Sequence, residues 1–230
     1  MPAATATRPA ELVPPRPIVY PSVAAASFDD RMDARDAVRR AVSMFGSDLS
    51  LLCSGQDAVL VDVALSVDPT IELVFIDTGF HFDETINTML AIAERYRPKL
   101  RVVVPWRHLP GAGRPGFCCS DHKVDQLDLA LVGRRAWLSG LRRADGPSRA
   151  DAPMAEVDRR GLVKINPLIS WSDSKVAGYE LQHQIIVNPL RDQGYPSIGC
   201  KPCTSPVEPG SDARSGRWAG SDKTECGLHL

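Results

Sequence analysis

The sequence has no excess of charge of either sign. Lysine and arginine total 27, aspartate and glutamate total 28, and the formal net charge of the 230 residues is -1. Proteins that bind nucleic acid or anionic membranes through their overall charge usually carry a basic excess. We therefore expect neither partner, and an anionic ligand must be held by a local cluster of basic side chains.

Long apolar runs are also missing. No stretch of the sequence reaches the ~18 consecutive apolar residues that a membrane-spanning helix needs. Residues 1–27 are rich in alanine and proline, and they lack the basic start and apolar core of a secretory signal. We predict a flexible N-terminal arm at 1–27 and a cytoplasmic location for the protein.

Short apolar runs that predict strands alternate with stretches of helical periodicity. Strands are predicted at 49–52, 72–76, 100–105, 135–139 and 162–165, and helices at 30–44, 58–65, 83–96, 123–131 and 172–183. This alternation favours right-handed crossovers and a parallel sheet with helices on both faces. We therefore predict a Rossmann-like α/β domain over residues 28–193, with its ligand at the carboxyl ends of the strands.

Two loops of this predicted domain are candidates for binding a nucleotide. The segments 53–57 and 77–79 each follow a predicted strand, where backbone N–H groups could meet a phosphate. Neither segment is a glycine motif of the Walker or Rossmann type. Their position, rather than a motif, makes them candidates.

Six cysteines stand at positions 53, 118, 119, 200, 203 and 226. In a chain without an export signal, metal binding or catalysis is favoured over disulfides. Cys118 with Cys119, and Cys200 with Cys203, provide four thiolates, enough for an iron–sulfur cluster or a tetrahedral zinc. Directly adjacent ligands are unusual for structural zinc, so the first pair favours a cluster. Two alternatives stay open: a redox dithiol formed by Cys200 and Cys203 alone, and a zinc-binding interaction module.

The C-terminal segment 194–230 loses the periodicity of the preceding chain and has little apolar content to bury. A metal centre or a bound ligand can supply the free energy that orders such a segment. Cys226 lies outside both cysteine pairs, and a thiol near Lys223 and His229 ionises readily to the nucleophilic thiolate. We predict a cluster-binding and catalytic tail at 194–230, although position alone equally allows Cys226 to be an incidental cysteine.

Arginines are concentrated in two parts of the sequence. One group comprises Arg142, Arg143 and Arg149, and the other comprises Arg214 and Arg217. Guanidinium groups suit the oxygens of phosphate and sulfate. Because such groups are more often part of a solvated surface, spacing alone does not assign them to a site.

Six segments of the sequence resemble the adenylyl sulfate reductases of assimilatory sulfate reduction, a branch of the sulfonucleotide reductases. They are Phe-Ile-Asp-Thr-Gly at 75–79, Cys-Cys at 118–119 followed by Lys123, Ser-Gly-Leu-Arg-Arg at 139–143, the run 188–204 that contains Cys-Lys-Pro-Cys, Arg-Ser-Gly-Arg-Trp at 214–218, and Lys-Thr-Glu-Cys-Gly-Leu-His at 223–229. The resemblance covers residues 51–229. It implies a fold like that of the adenine nucleotide alpha hydrolases.

The resemblance implies a role for each group of candidate residues. Adenosine would lie near Ser54, Asp57, Asp77, Thr78 and Gly79, and the other substrate-binding residues would be Lys123, Arg142, Arg214, Arg217 and His229. Cys226 would attack the sulfur of adenylyl sulfate, forming an S-sulfocysteine while AMP leaves. A thioredoxin-type thiol would then release sulfite.

The resemblance also implies a 4Fe-4S cluster with Cys118, Cys119, Cys200 and Cys203 as its ligands. In the family this cluster orders the site and tunes its field, and the electrons come from thiols. Family members without the paired cysteines generally prefer the 3′-phosphorylated nucleotide. The four cysteines therefore point to adenylyl sulfate as the substrate.

Two departures from the family pattern bear on substrate choice. Cys53 stands where the family usually has a serine, and His122 replaces an arginine with a titratable group. The alternative activities are reduction of 3′-phosphoadenylyl sulfate and, less closely, an ATP pyrophosphatase, whose Ser-Gly-Gly-x-Asp-Ser loop is absent. The sequence leaves the physiological thiol donor and the oligomeric state open, a homo-oligomer included.

Overall fold

A computed structural model describes residues 19–104, 123–218 and 225 of the chain. Within these residues six strands form one sheet: β1 (Leu49–Cys53), β2 (Glu72–Ile76), β3 (Lys99–Val103), β4 (Ala136–Leu138), β5 (Ala155–Val157) and β6 (Val163–Ile165). The α-helices of the same residues are α1 (Pro21–Ala26), α2 (Ala34–Phe45), α3 (Val59–Val67), α4 (Asp83–Tyr96), α5 (Lys123–Ala130) and α6 (Asp173–His183). Every predicted strand and helix is present, although α2 begins four residues later than the sequence predicts. None of the helices described here is both long enough and apolar enough to cross a membrane.

The order of the strands across the sheet is β3-β2-β1-β4-β6-β5. All neighbouring strands are parallel except β5, which runs antiparallel to β6. The chain moves outward from β1 through β2 to β3 and then returns to the other side of β1 for β4. Such a reversal opens a crevice at the carboxyl ends of the two strands, and ligands bind there in open α/β sheets. The predicted α/β class is confirmed, with one antiparallel strand at the edge.

The centre of the sheet is buried and apolar. Leu51 of β1, Leu73 of β2 and Leu138 of β4 have no exposed surface. Helix α2 packs on this core with one face, and its buried residues are Ala34, Ala37, Val38, Ala41 and Phe45. Burial of a large apolar side chain contributes about 1.5–3 kcal/mol, so the sheet and its helices account for most of the hydrophobic stabilisation.

Two elements are not predicted by the sequence patterns. Helix α1 lies inside the segment 1–27 for which we predict a flexible arm; it starts with Pro21, a residue suited to the first helical turn, and its Ala24 is fully buried. Strand β5 has only three residues and no apolar run. Both elements contact β6, and α1 also contacts β5. Their stability depends on tertiary contacts, which composition and periodicity do not reveal.

Candidate functional site

A cavity of about 530 Å³ opens where the strand order reverses. Its wall is formed by the ends of β1 and β2, the loop after β4 and part of the C-terminal tail. Six of the predicted substrate-binding residues line it: Ser54, Asp57, Lys123, Arg142, Arg214 and Arg217. A cavity of this size, with convergent polar groups at its wall, suits a nucleotide-sized ligand.

The predicted residues Asp77, Thr78 and Gly79 form a turn after β2 that is not part of the described cavity wall. Asp77 Oδ1 accepts a hydrogen bond from the backbone N–H of Gly79 at 2.9 Å, and Gly79 has a φ of 74°, which glycine adopts without steric cost. Thr78 is buried, and its Oγ1 lies 3.2 Å from Cys200 Sγ. This turn therefore contacts the cysteine-containing segment of the tail.

Several predicted site residues lie outside the described part of the chain. They are Cys118, Cys119, Cys226 and His229, together with the departure from the family pattern at His122. Their roles remain predictions. The described residue nearest in sequence to Cys226 is its neighbour Glu225, which contacts the cavity wall.

The loop after β1 is held by hydrogen bonds to the Asn188 side chain and to the backbone of Ile198. Asn188 Nδ2 donates to Gly55 O at 3.0 Å and to Thr85 Oγ1 at 3.1 Å. Gln56 Oε1 accepts from the backbone N–H of Ile198 at 3.2 Å. A Cβ at Gly55, whose φ is 74°, would lie 2.9 Å from Thr85 Cγ2, so this position requires glycine. Contacts within the protein thus fix the shape of the loop.

Two side chains at this loop, the partly buried Asp57 and the buried Cys53, have shifted pKa values. Asp57 Oδ1 accepts from the backbone N–H of Val59 at 3.0 Å, at the first turn of α3. Burial raises the pKa of Asp57, against the opposing effects of the Val59 N–H and of Arg191. Cys53 Sγ lies 3.6 Å from Met89 Sδ, and burial raises the pKa of Cys53 to about 12. The Cys53 thiol therefore stays protonated at neutral pH and is not a nucleophile.

Three arginines meet at one side of the cavity, and we call Arg149, Arg214 and Arg217 the three-arginine cluster. Burial lowers the pKa of Arg214, and the positive charges of Arg149 and Arg217 lower it further, whereas Glu225 opposes this shift. Crowding of like charges in a partly buried site is unfavourable unless anions offset it. Asp145 and Glu225 supply anionic partners to Arg149 and Arg214, and the remaining positive charge of the cluster suits an anionic ligand.

Arg217 is the member of the cluster that faces no carboxylate within ion-pair distance among the described residues. Its Nη1 donates to Ser197 Oγ at 3.2 Å, and its guanidinium lies 4.5 Å from the centre of the Trp218 ring. A Cβ at Gly199 would lie 2.3 Å from Arg217 Nη2, so glycine at this position leaves room for the guanidinium. Arg217 is consequently placed to bind an anion with planar, directional hydrogen bonds.

Arg142 lines the same cavity, but its guanidinium already has protein partners. Its Nη2 lies 2.9 Å from Asp145 Oδ1 and 2.9 Å from Asp173 Oδ1, and its Nη1 donates to Trp171 O at 3.3 Å. The side chain is 16% exposed. Arg142 therefore organises the loop after β4, in addition to facing the cavity.

Cys200 and Cys203 lie on one tight turn and are 2% and 3% exposed. The backbone N–H of Cys203 donates to Cys200 O at 2.9 Å, and that of Lys201 donates to Phe80 O at 2.8 Å. Cys203 packs in an apolar cluster with Ile76, Leu127, Leu131, Trp137 and Trp218. Two buried thiols on one turn fit half of the ligand set of an iron–sulfur cluster. Helix α5, which contributes to the same apolar cluster, begins at Lys123, four positions after Cys119.

His81 also lines the cavity, although no sequence pattern predicts it there. Its Nε2 lies 3.0 Å from Ile76 O, and its ring centre lies 5.2 Å from that of Phe75. Burial lowers the pKa of His81, and the charge of Lys123 lowers it further, so the imidazole is held neutral. A single histidine after a strand has no spacing signal, and only its neighbours in space identify it.

Comparison with known proteins identifies the family. Residues 48–206 match the family model described as phosphoadenosine phosphosulfate reductase domain. A relative from Rhodococcus opacus named adenosine 5′-phosphosulfate reductase is 48% identical over 185 residues, which cover 76% of this chain and 75% of the relative. A relative of the same name from Mycolicibacterium smegmatis is 46% identical over 208 residues, covering 86% and 88% of the two chains.

Among solved structures, phosphoadenylyl-sulfate reductase from Candida auris in its phosphate complex matches with a TM-score of 0.62 and 26% identity. The match covers 77% of this chain and 91% of that one. The family implied by the sequence motifs is confirmed by these matches. The chain belongs to the phosphoadenosine phosphosulfate reductase domain family.

Proposed function

We propose that the chain is an adenylyl sulfate reductase that transfers the sulfonate group of its substrate to Cys226 and releases sulfite with electrons from a thioredoxin-type dithiol. The observation that carries this proposal is the nucleotide-sized cavity at the reversal of strand order, with the three-arginine cluster on its wall. Two relatives that are 48% and 46% identical are named adenosine 5′-phosphosulfate reductase, which supports the choice of nucleotide.

The substrate would lie across the carboxyl ends of β1 and β4. The loop at Ser54 and Asp57 would border the adenosine, and the turn 77–79, which follows the neighbouring strand β2, would lie near it. Lys123, Arg142, Arg214 and Arg217 would meet the phosphosulfate, and His229 would be a further substrate-binding residue. Cationic groups placed there would stabilise the negative charge that builds on the departing phosphate. Electrostatic stabilisation of this kind is usually the largest single contribution to catalysis.

The reaction would proceed in two displacements. The Cys226 thiolate attacks the sulfonate sulfur and forms an S–S bond, while the S–O bond to the phosphate breaks and AMP leaves with the electron pair. A thioredoxin-type thiolate then attacks Cys226 Sγ and displaces sulfite, and the second thiol of that dithiol resolves the mixed disulfide. Two electrons pass to the sulfonate, and the dithiol becomes a disulfide. We expect this chemistry in the cytoplasm, where such dithiols are kept reduced.

We further propose that Cys118, Cys119, Cys200 and Cys203 hold a 4Fe-4S cluster. When bound, the cluster would contribute order and electrostatic field near the substrate, since the electrons come from thiols. Thr78 supports this proposal from the protein side, because its Oγ1 lies 3.2 Å from Cys200 Sγ and fixes that thiol next to the end of β2. A colourless anaerobic preparation with stoichiometric zinc would contradict the cluster and favour a zinc-binding module.

A second candidate activity is the reduction of 3′-phosphoadenylyl sulfate. The solved structure from Candida auris that matches this chain is named a phosphoadenylyl-sulfate reductase, which is the observation in its favour. The two activities share the nucleophile and the fold, and they differ in the site for the 3′-phosphate.

The test is anaerobic sulfite release from adenylyl sulfate and, separately, from its 3′-phosphorylated analogue, with reduced thioredoxin present. We expect preference for adenylyl sulfate. The variant Cys226→Ser should retain AMP binding and the visible absorption of the cluster but release no sulfite. Preference for the analogue would favour the second candidate, and sulfite release by Cys226→Ser would contradict the nucleophile assignment.

A further inference from the structure

Glu225, the residue immediately before Cys226, is tied to the cavity wall by buried ion pairs. Its side chain is 8% exposed. Its Oε1 lies 2.8 Å from Arg149 Nη2 and 2.9 Å from Arg214 Nη2. Its Oε2 accepts from Arg149 Nε at 2.9 Å and from Ser148 Oγ at 3.3 Å. The contact with Arg149 is bidentate, which is the geometry that orients a carboxylate most firmly.

The main partner of Glu225 is itself fixed to the loop that follows β4. The Arg149 side chain is 10% exposed, and its Nη1 lies 3.0 Å from Asp145 Oδ2. The same Asp145 oxygen accepts from the backbone N–H of Arg142 at 3.0 Å. Glu225 is thus connected through the side chains of Arg149 and Asp145 to the backbone of the loop that follows β4.

We propose that Glu225 is a positioning residue for Cys226. Consecutive Cα atoms are about 3.8 Å apart. A Glu225 that is fixed on the cavity wall therefore limits how far Cys226 can move away from that wall. The proposal rests on the proposed function, in which Cys226 is the nucleophile. Holding a nucleophile near the atom that it attacks accelerates the reaction, and a misplacement of about 1 Å costs on the order of 100-fold in rate.

Because Glu225 is charged, its neutralisation should affect the reaction rate and the nucleotide affinity differently, which distinguishes a positioning role from a purely structural one. Arg149 and Arg214 belong to the three-arginine cluster, and Glu225 offsets part of their positive charge. If Glu225 becomes neutral, the cluster attracts an anionic nucleotide at least as strongly as before. Loss of positioning alone therefore slows the reaction while nucleotide affinity is kept or increased, whereas collapse of the tail would lower both.

The test compares Glu225→Gln with the wild-type chain under anaerobic conditions. The first measurement is the single-turnover rate of AMP release from adenylyl sulfate without thioredoxin, and the second is the Kd for AMP. We expect a rate lower by about 30- to 100-fold and a Kd that is equal or lower. The matched control is Glu208→Gln, an exposed tail glutamate away from the cavity wall, which should leave both quantities unchanged.

Two further variants strengthen the test. Glu225→Asp keeps the charge but is shorter by one methylene group, so it cannot reach both arginines; we expect unchanged AMP affinity and a slower single turnover. Arg149→Met combined with Glu225→Gln should be no slower than the slower of the two single variants, because both changes remove the same contact.

The outcomes distinguish this inference from the proposed function. A wild-type chain that releases no AMP from adenylyl sulfate would overturn both. An active wild type with a Glu225→Gln rate within about threefold of its own would overturn the positioning role alone. Equal losses of rate and AMP affinity would also overturn it, because they would assign Glu225 to the folding of the tail.

Discussion

The sheet and the C-terminal tail of this protein are ordered by different interactions. Around β1, β2 and β4 the chain buries apolar side chains, and the order of the strands creates the cavity. In the described tail, residues 194–218 and 225, fewer apolar side chains are buried, Ile198 and Trp218 among them, and order also comes from a short turn, a single β-bridge between Thr204 and Arg217, close backbone packing and buried ion pairs. The comparison indicates that the sheet supplies most of the apolar burial, whereas the described tail depends more on polar contacts.

The largest effect on stability should come from the sheet. Leu138→Ala removes a fully buried side chain of β4, and such truncations cost about 2–5 kcal/mol in the free energy of unfolding. Denaturant unfolding measures this cost. Leu181→Ala, at a position 83% exposed on α6, is the control and should change the free energy of unfolding by less than about 0.5 kcal/mol. A small cost for Leu138→Ala would contradict the assignment of stability to the sheet.

A substitution in the tail should instead lower activity and leave the stability of the protein nearly unchanged. A Cβ at Gly216 would lie 2.1 Å from Ser205 O, at the point where Ser205 N donates to Gly216 O at 2.8 Å. Gly216→Ala should therefore separate the two tail segments and lower sulfite release by about 100-fold, through misplacement of the tail. The midpoint of denaturant unfolding should change little.

Gly178→Ala in α6 is the control for that change. A Cβ at this position meets no atom within 4 Å, and alanine is favoured over glycine inside a helix. Sulfite release should stay at the wild-type level. A Gly216→Ala variant with wild-type activity would show that the tail tolerates disruption of its backbone pairing.

A smaller effect is expected from Gly199→Ala. Its Cβ would lie 2.3 Å from Arg217 Nη2, and because the guanidinium is the end of a flexible side chain, it can move away. We expect the Kd for AMP to rise by about 10-fold, corresponding to ~1.4 kcal/mol. Arg217→Ala should give a similar loss, and the double variant should lose no more than the larger single loss. Additive losses would indicate that Gly199 acts through another contact.

The last effect concerns the titration of the buried Cys53 thiol, and it is absent at neutral pH. Burial raises its pKa from 9.0 to about 12. Above about pH 9 the thiol ionises in the unfolded chain but not in the folded protein, so the stabilisation present below pH 9 is lost as the pH rises towards 12. The difference in unfolding free energy between wild type and Cys53→Ala should shrink over this range, by at most about 1.4 kcal/mol per pH unit. A constant difference would mean that the thiol is not buried.

Local sequence patterns predict the sheet because its strands are short apolar runs between helical stretches. Strand β2 is buried along its whole length, and the apolar run 72–76 that predicts it has the same bounds. Such patterns do not predict strand β5 (Ala155–Val157) or helix α1 (Pro21–Ala26). Both elements bury little apolar surface, and they depend on contacts with each other and with β6.

The site could be predicted in part for a similar reason. Ser54, Asp57 and Arg142 follow strands that meet at one edge of the sheet, so their position in the cavity follows from the parallel order of those strands. The contact of Thr78 with Cys200 and the ion pairs of Glu225 join residues that are distant in sequence. No periodicity encodes such contacts, and only the folded chain reveals them.

Helix α1 has a practical consequence for shortening this protein. The alanine- and proline-rich composition would suggest starting a trimmed chain at residue 28, yet that cut would remove Ala24 from the core and expose parts of β5 and β6 that α1 contacts. Newly exposed apolar surface favours association between molecules. A shortened chain should therefore retain Pro21–Ala26, so that this helix keeps its contacts with β5 and β6 at the high concentrations of crystallisation.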